Sequence, residues 1–135
     1  MKIKNVIVLS FIFLTGCFES GTFYDLGNGF NFGYYNNTKK TSDIFYNDTG
    51  ILNSICHLVK WNDNYILAQC YYHDKNIIRD TFYLINKQLY KDNPKQLQSD
   101  GILGPLSKDA ILKIMSEKDI HLINSKEIEI NIQDR

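Results

Sequence analysis

The residues with types suited to chemistry are two cysteine–histidine neighbourhoods and a few carboxylates. Cys56, His57, Cys70 and His73 together offer the four nitrogen and sulfur donors that zinc takes. Cys56 and His57 are adjacent, and neighbours on an extended strand point to opposite faces, so the four do not converge on one ion. The same alternation separates Cys56 from His57 as a nucleophile and base. His73, Asp74, Asp63 and Asp80 are acid–base types. Each falls at an expected turn or strand end, where solvated polar side chains are ordinary. No Gly-x-Ser-x-Gly elbow and no zinc-protease helix is present, and Gly27-Asn28-Gly29 is a turn without the following helix that a phosphate cradle needs. No catalytic residue, metal or cofactor is therefore expected, and the chain reads as a non-enzyme.

The N-terminus carries a different kind of chemistry. Lys2 and Lys4 precede an apolar run over 6–14, broken only by Ser10. A basic segment followed by a short apolar one has the form of an export signal. The run is too short to cross a membrane, which takes roughly 18 or more apolar residues. Leu14-Thr15-Gly16-Cys17 at its end resembles the lipobox of bacterial lipoproteins at all four positions. The resemblance implies a diacylglyceryl group on the Cys17 sulfur, cleavage between Gly16 and Cys17, and a further acyl chain, such as palmitate, on the new amine. Two or three acyl chains hold a protein on a membrane for long times, at about 0.8 kcal/mol for each buried methylene. Phe18, rather than Asp, follows the cysteine. By the same resemblance this lacks the inner-membrane retention signal and places the protein in the cell envelope at the outer membrane.

Residues 1–16 are then a signal peptide, 17–21 the acylated cysteine and a short tether, and 22–135 one domain. Loss of Lys2 and Lys4 leaves 13 basic against 15 acidic side chains. A near-neutral domain of this size has no clustered cationic surface for nucleic acid.

Several elements must position whatever this domain presents. Aromatic runs over 22–26 and 30–35 flank an Asn-Gly turn, the pattern of a hairpin. A strand over 44–46 follows a polar loop. Residues 51–61 and 65–73 are rich in β-branched and aromatic types around Asn62-Asp63-Asn64. A three-residue loop with Asn64 left-handed would set Trp61 opposite Tyr65, Val59 opposite Leu67 and Cys56 opposite Cys70. A strand over 81–85 and a long connection over 91–105, pinned by Leu97, Ile102 and Leu103, come next. Ser107 can cap a helix ending near Lys118, with Leu106, Ala110, Ile111, Ile114 and Met115 on its apolar face. Strict alternation over 127–132 predicts a half-buried last strand. The fold class is α+β: a mainly antiparallel meander with one helix in the C-terminal half packed on it.

The segments 24–30, 59–68, 82–86 and 104–107 also resemble a family of small uncharacterised bacterial lipoproteins. The resemblance implies a one-domain, sheet-rich fold and brings no activity and no site residues. Export would put Cys56 and Cys70 in an oxidising compartment, where they are either disulfide-bonded or two buried thiols. Tyr34, Tyr35 and Tyr46, facing outward, would make a binding surface for an envelope protein or glycan; cross-strand packing is the other use of such residues. The expected function is that of a membrane-anchored envelope lipoprotein acting as a non-catalytic binding or structural module. The alternative is a periplasmic inhibitor of an attacking hydrolase.

Overall fold

A computed structural model describes residues 21–35, 38–74, 77–95 and 99–130. The leader, Cys17, Leu97 and Ile132 lie outside these. The architecture is α+β, with two antiparallel sheets and one long helix in the C-terminal half.

The first sheet holds β1 (Gly21–Gly27), β2 (Phe30–Tyr35), β3 (Asp43–Tyr46) and β4 (Thr49–Gly50), in that order. Two-residue turns join β1 to β2 and β3 to β4. Asn28 and Gly29 both take positive φ, as do Asn47 and Asp48, which matches the twist of paired strands. The second sheet holds β5 (Ile55–Trp61), β6 (Tyr65–Asp74), β7 (Ile77–Asn86), β8 (Ile102–Leu106) and β9 (Asn124–Glu127), in the order β8-β7-β6-β5-β9. The helices are α1 (Lys87–Asp92) and α2 (Lys108–Glu117).

Three layers result. Leu26, Phe30, Phe32 and Ile44 of the first sheet pack against Cys56, Val59, Ile66, Ala68, Cys70, Tyr83 and Ile85 of the second. On the other face of the second sheet, Phe82 and Leu84 meet Ile111 of α2 and Ile120, with Tyr65, Leu67, Ile114 and Met115 around them. The second sheet is therefore covered on both faces. The Ser107 hydroxyl caps α2 by accepting from the Ala110 amide, as its position before an apolar periodicity predicts.

The β5–β6 pairing differs from the sequence reading. Trp61 lies opposite Ile66 and Val59 opposite Ala68, one residue out from the expected register. The Asn62 carboxamide oxygen accepts from the Asn64 and Tyr65 amides, and the Asn62 amide donates to the Tyr65 carbonyl. This local turn closes the hairpin more tightly than a three-residue loop, and Asn64 is not left-handed. An extra residue at His57 then returns the register, so that Cys56 does face Cys70. Their sulfurs are bonded, with the Cα atoms 3.8 Å apart.

Other boundaries also move. Residues 51–54 are a bend rather than strand, held by the Asp43 carboxylate, which accepts from the Ile44, Leu52 and Asn53 amides. β7 begins at Ile77, so Asp80 sits inside a strand rather than at its end. The expected long connection contains the end of α1 and all but the last residue of β8. β8 was hidden by Gly104 and Pro105, which bulge opposite Tyr83 on an edge where a missing N–H is tolerated. β9 lies earlier than the alternating run predicts. Ile128 is buried past its end, where its amide donates to the His57 carbonyl.

The ends of the molecule differ. At one, the turns 27–29 and 62–64 meet over Lys87, whose ammonium donates to the Leu26 and Asn62 carbonyls. Burial lowers the Lys87 pKa from its ordinary value, opposed by Asp63 and Asp25. At the other end lie Gly21, Tyr35, Ser42 and Cys56. Ser42 and Cys56 bond each other across the two sheets through the Ser42 hydroxyl and the Cys56 amide.

Opening the disulfide, which closes a separation of 14 residues, should cost about 3 kcal/mol. Urea unfolding with and without reductant measures this, and an unchanged midpoint would contradict it. Asp43 gives a second expectation. Burial raises its pKa from 3.8 to about 7, against the three amide donors that lower it. A raised carboxyl pKa means the folded state holds a proton that the unfolded state releases. Its stabilising contribution is full below the unfolded pKa and is lost as pH rises through about 7. The thermal midpoint should therefore rise from pH 8 to pH 5, and Asp43→Asn should flatten that slope whatever the variant costs.

Candidate functional site

The helix-bearing face of the second sheet brings together residues from β5, β6, β7 and α2. The extra residue in β5 gives consecutive positions, His57 and Leu58, to this face, whereas regular alternation would give it one. The His57 ring stacks on Tyr71, with centroids 4.2 Å apart and planes 20° apart. Its Nε2 donates to Asp80 Oδ1 at 3.0 Å, and Gln69 Nε2 donates to Asp80 Oδ2 at 2.9 Å. Tyr71 has its pKa raised by burial, then by the charges of Asp80 and Glu127.

Beside this polar cluster runs an open groove of about 250 Å³. Leu58, Lys60, Leu67, Gln69 and Phe82 form one side, and Lys108, Ile111 and Leu112 of α2 the other. Its floor is apolar, and Lys60 and Lys108 make no ion pair among the described residues. Leu112 is 47% exposed on the rim, whereas Ile111 beside it is fully buried. Apolar surface beside unpaired cations suits an apolar segment bearing an acidic group.

The groups that could react are otherwise engaged. Cys56 is in the disulfide and faces the inner core. Imidazole and carboxylate are paired, but no hydroxyl or thiol bonds to the His57 ring among the described residues. Asp63 lies at the turn beside Lys87, and the His73 side chain lies outside what is described. No group of three or more metal-ligand side chains exists among the described residues.

The expected tyrosine surface does not form as one patch. Tyr34 and Tyr46 pack against the inner core, Tyr46 edge-on to Tyr90 at 5.4 Å. Tyr35 points to the opposite face, since successive strand residues alternate. There it meets Phe23 and Phe45 edge-on at 4.9 and 5.3 Å. The sequence reading missed the His57–Asp80 pairing because the bulge and the true start of β7 leave no local signal.

Ile111→Ala should cost about 3 kcal/mol, as a buried truncation does. Leu112→Ser should stay within about 0.5 kcal/mol, as an exposed one does. Chemical denaturation distinguishes them, and leaves Leu112→Ser as a folded variant for binding assays.

Comparison with protein-family profiles, curated proteins and solved structures finds no match in any of the three. The functional reading rests on this chain's own residues.

Proposed function

We propose that the protein is a lipid-anchored component of the cell envelope, at the outer membrane, whose single domain binds a partner rather than catalysing a reaction. The observation that carries the reading is Leu14-Thr15-Gly16-Cys17 placed directly after a basic and then apolar segment. The buried disulfide supports it, since such bonds persist in oxidising compartments outside the cytosol.

Binding is favoured over turnover by the condition of the reactive groups. Cys56 and Cys70 are bonded to each other, and among the described residues no hydroxyl or thiol bonds to the imidazole–carboxylate pair. The groove between β5 and α2 is the preferred contact for an envelope protein, ahead of a glycan, because Leu58, Leu67, Ile111 and Leu112 make it mostly aliphatic, with Phe82 the one aromatic among its lining residues rather than part of a flat aromatic platform. The hydrolase-inhibitor alternative asks for an element that protrudes away from the membrane. Among the described residues, the strand pair that runs past its neighbours, β6 and β7, does so towards the Gly21 end, where the proposed anchor would join.

Cys17→Ser should abolish lipid attachment and move the chain to the aqueous phase in detergent phase separation. Membrane partitioning of that variant equal to wild type would refute the anchor. Crosslinking in intact envelopes should recover a partner with wild type and lose it with Leu112→Ser. Turnover of an envelope polymer by the purified protein, abolished by His57→Ala, would refute the non-catalytic reading.

A further inference from the structure

The two sheets end in four edge strands, β1 and β4 in the first and β8 and β9 in the second. An edge leaves N–H and C=O groups unpaired, and folded proteins blunt it with brevity, charge, proline or a bulge. Three of these edges are blunted. β4 is two residues long. β8 carries Gly104 and Pro105 at its register shift. β9 has four residues, all polar, with Lys126 and Glu127 among them. β1 is the exception. From Gly21 to Asp25 it runs in unbroken register along β2, with no lysine and no proline. Thr22, Phe23 and Tyr24 at its centre are all strand formers. A bulge interrupts it only beyond Asp25, at Leu26. Alternate backbone groups over this stretch point away from β2, and among the described residues nothing bonds to them.

The side chains of β1 leave this edge open. The Phe23 ring lies back over Gly33 of β2, where a Cβ would collide with it. There it meets Tyr35 and Phe45 at 4.9 and 5.3 Å. Gly21, on the same face as Phe23, also leaves the ring room that a Cβ would take. On the inner face Tyr24 packs against the core, and the Lys126 ammonium lies over its ring, 4.3 Å from the centroid. Both aromatic side chains are thus held within their own copy, and the backbone beside them is free to pair.

We infer that β1 pairs with β1 of a second copy of this chain, antiparallel about a two-fold axis at Phe23, so that two four-stranded sheets become one continuous sheet. The inference stands on β1 and does not need the anchor, although a shared membrane would raise the local concentration of both copies. A two-fold axis perpendicular to the sheet makes the contact self-complementary and puts both outer faces on one side. Opposed residues must then belong to the same face of β1. Phe23 is the midpoint of the regular stretch, and centring there uses all of Gly21–Asp25. Phe23 faces Phe23 of the second copy, and Thr22 faces Tyr24, both favourable cross-strand pairs. Asp25, the only charge on β1, falls opposite Gly21, so no like charges oppose. Centring on Tyr24 instead would set Asp25 against Phe23 and carry the pairing into the bulge at Leu26. The merged outer face brings two Phe23–Tyr35–Phe45 clusters side by side and covers Phe23, which is 39% exposed in the single copy. An unrelated extended segment gains the same backbone bonds without these matched side chains. The grooves between β5 and α2 lie on the far face of the second sheet, so both stay open and face the same way, and the pair presents two contacts to a partner.

The test is a cysteine crosslink on the full chain in intact envelopes under mild oxidation. Cys56 and Cys70 are buried and bonded to each other, so they do not compete. Opposed residues on paired strands have Cα atoms about 4.5–5.5 Å apart, within disulfide reach. Asp25 and its copy are separated by roughly 14 Å along the strands, beyond that reach. Phe23→Cys should give a band of twice the chain mass that is lost on reduction, and Asp25→Cys should give none. Thr22→Cys and Tyr24→Cys should crosslink when expressed together and not singly, which reads the register without removing Phe23. Wild-type protein extracted in mild detergent should have twice the chain mass in native mass spectrometry. Phe23→Lys, which opposes like charges, should return it to the single mass. A single mass for wild type, or no doubled band from either crosslinking set, would overturn the pairing. Equal crosslinking of Asp25→Cys would overturn the register. A Phe23→Cys crosslink to a different protein would show that the edge is taken by another chain and would overturn the second copy as its occupant.

Discussion

The extra residue that β5 carries at His57 is the constraint on which both faces of the second sheet depend. On one side of it the β5–β6 register is set by the Asn62 turn, which puts Val59 and Trp61 towards the inner core. On the other side the register is set by the disulfide between Cys56 and Cys70, also in the inner core. These two registers differ by one residue. A regular strand would force one of them to turn its apolar side chains the wrong way. The bulge absorbs the difference and keeps both sets inside.

The same residue supplies the outer face. His57 and Leu58 both reach the helix side, so a polar group and an apolar one sit next to each other where α2 leaves the sheet open. His57 is held by a ring stack and by Asp80, and Asp80 in turn holds Gln69. The polar cluster therefore closes one end of the groove with its hydrogen bonds largely satisfied internally. That suits a surface that recognises a partner, where an unpaired buried group would be costly.

The two ends of the domain are built on different physics. At the Lys87 end, one nearly buried ammonium joins a carbonyl from each sheet, so the turns are tied by charge-assisted hydrogen bonds. At the Gly21 end, apolar side chains are left exposed on β6, β7 and β1. An end closed by polar contacts faces water at little cost.

Local chemistry determined much of this protein from sequence alone. The Asn-Gly turn, the aromatic hairpin, the Ser107 cap and the apolar face of α2 all rest on interactions within a few residues, so their signals are local and the structure has them where expected. The order basic, apolar, Leu-Thr-Gly-Cys is likewise a linear signal. What only tertiary structure decided depends on partners far along the chain. The alternation that makes Tyr34 and Tyr35 both candidates for a surface cannot say which face the second sheet will cover, and it covers that of Tyr34. β8 forms despite Gly104 and Pro105 because β7 offers it an edge, and β9 pairs where β5 is free rather than where alternation is strictest. Asp80 joins His57 from 23 residues away. That meeting depends on a bulge which exists only because two registers, each fixed by its own distant contacts, had to be reconciled in one strand.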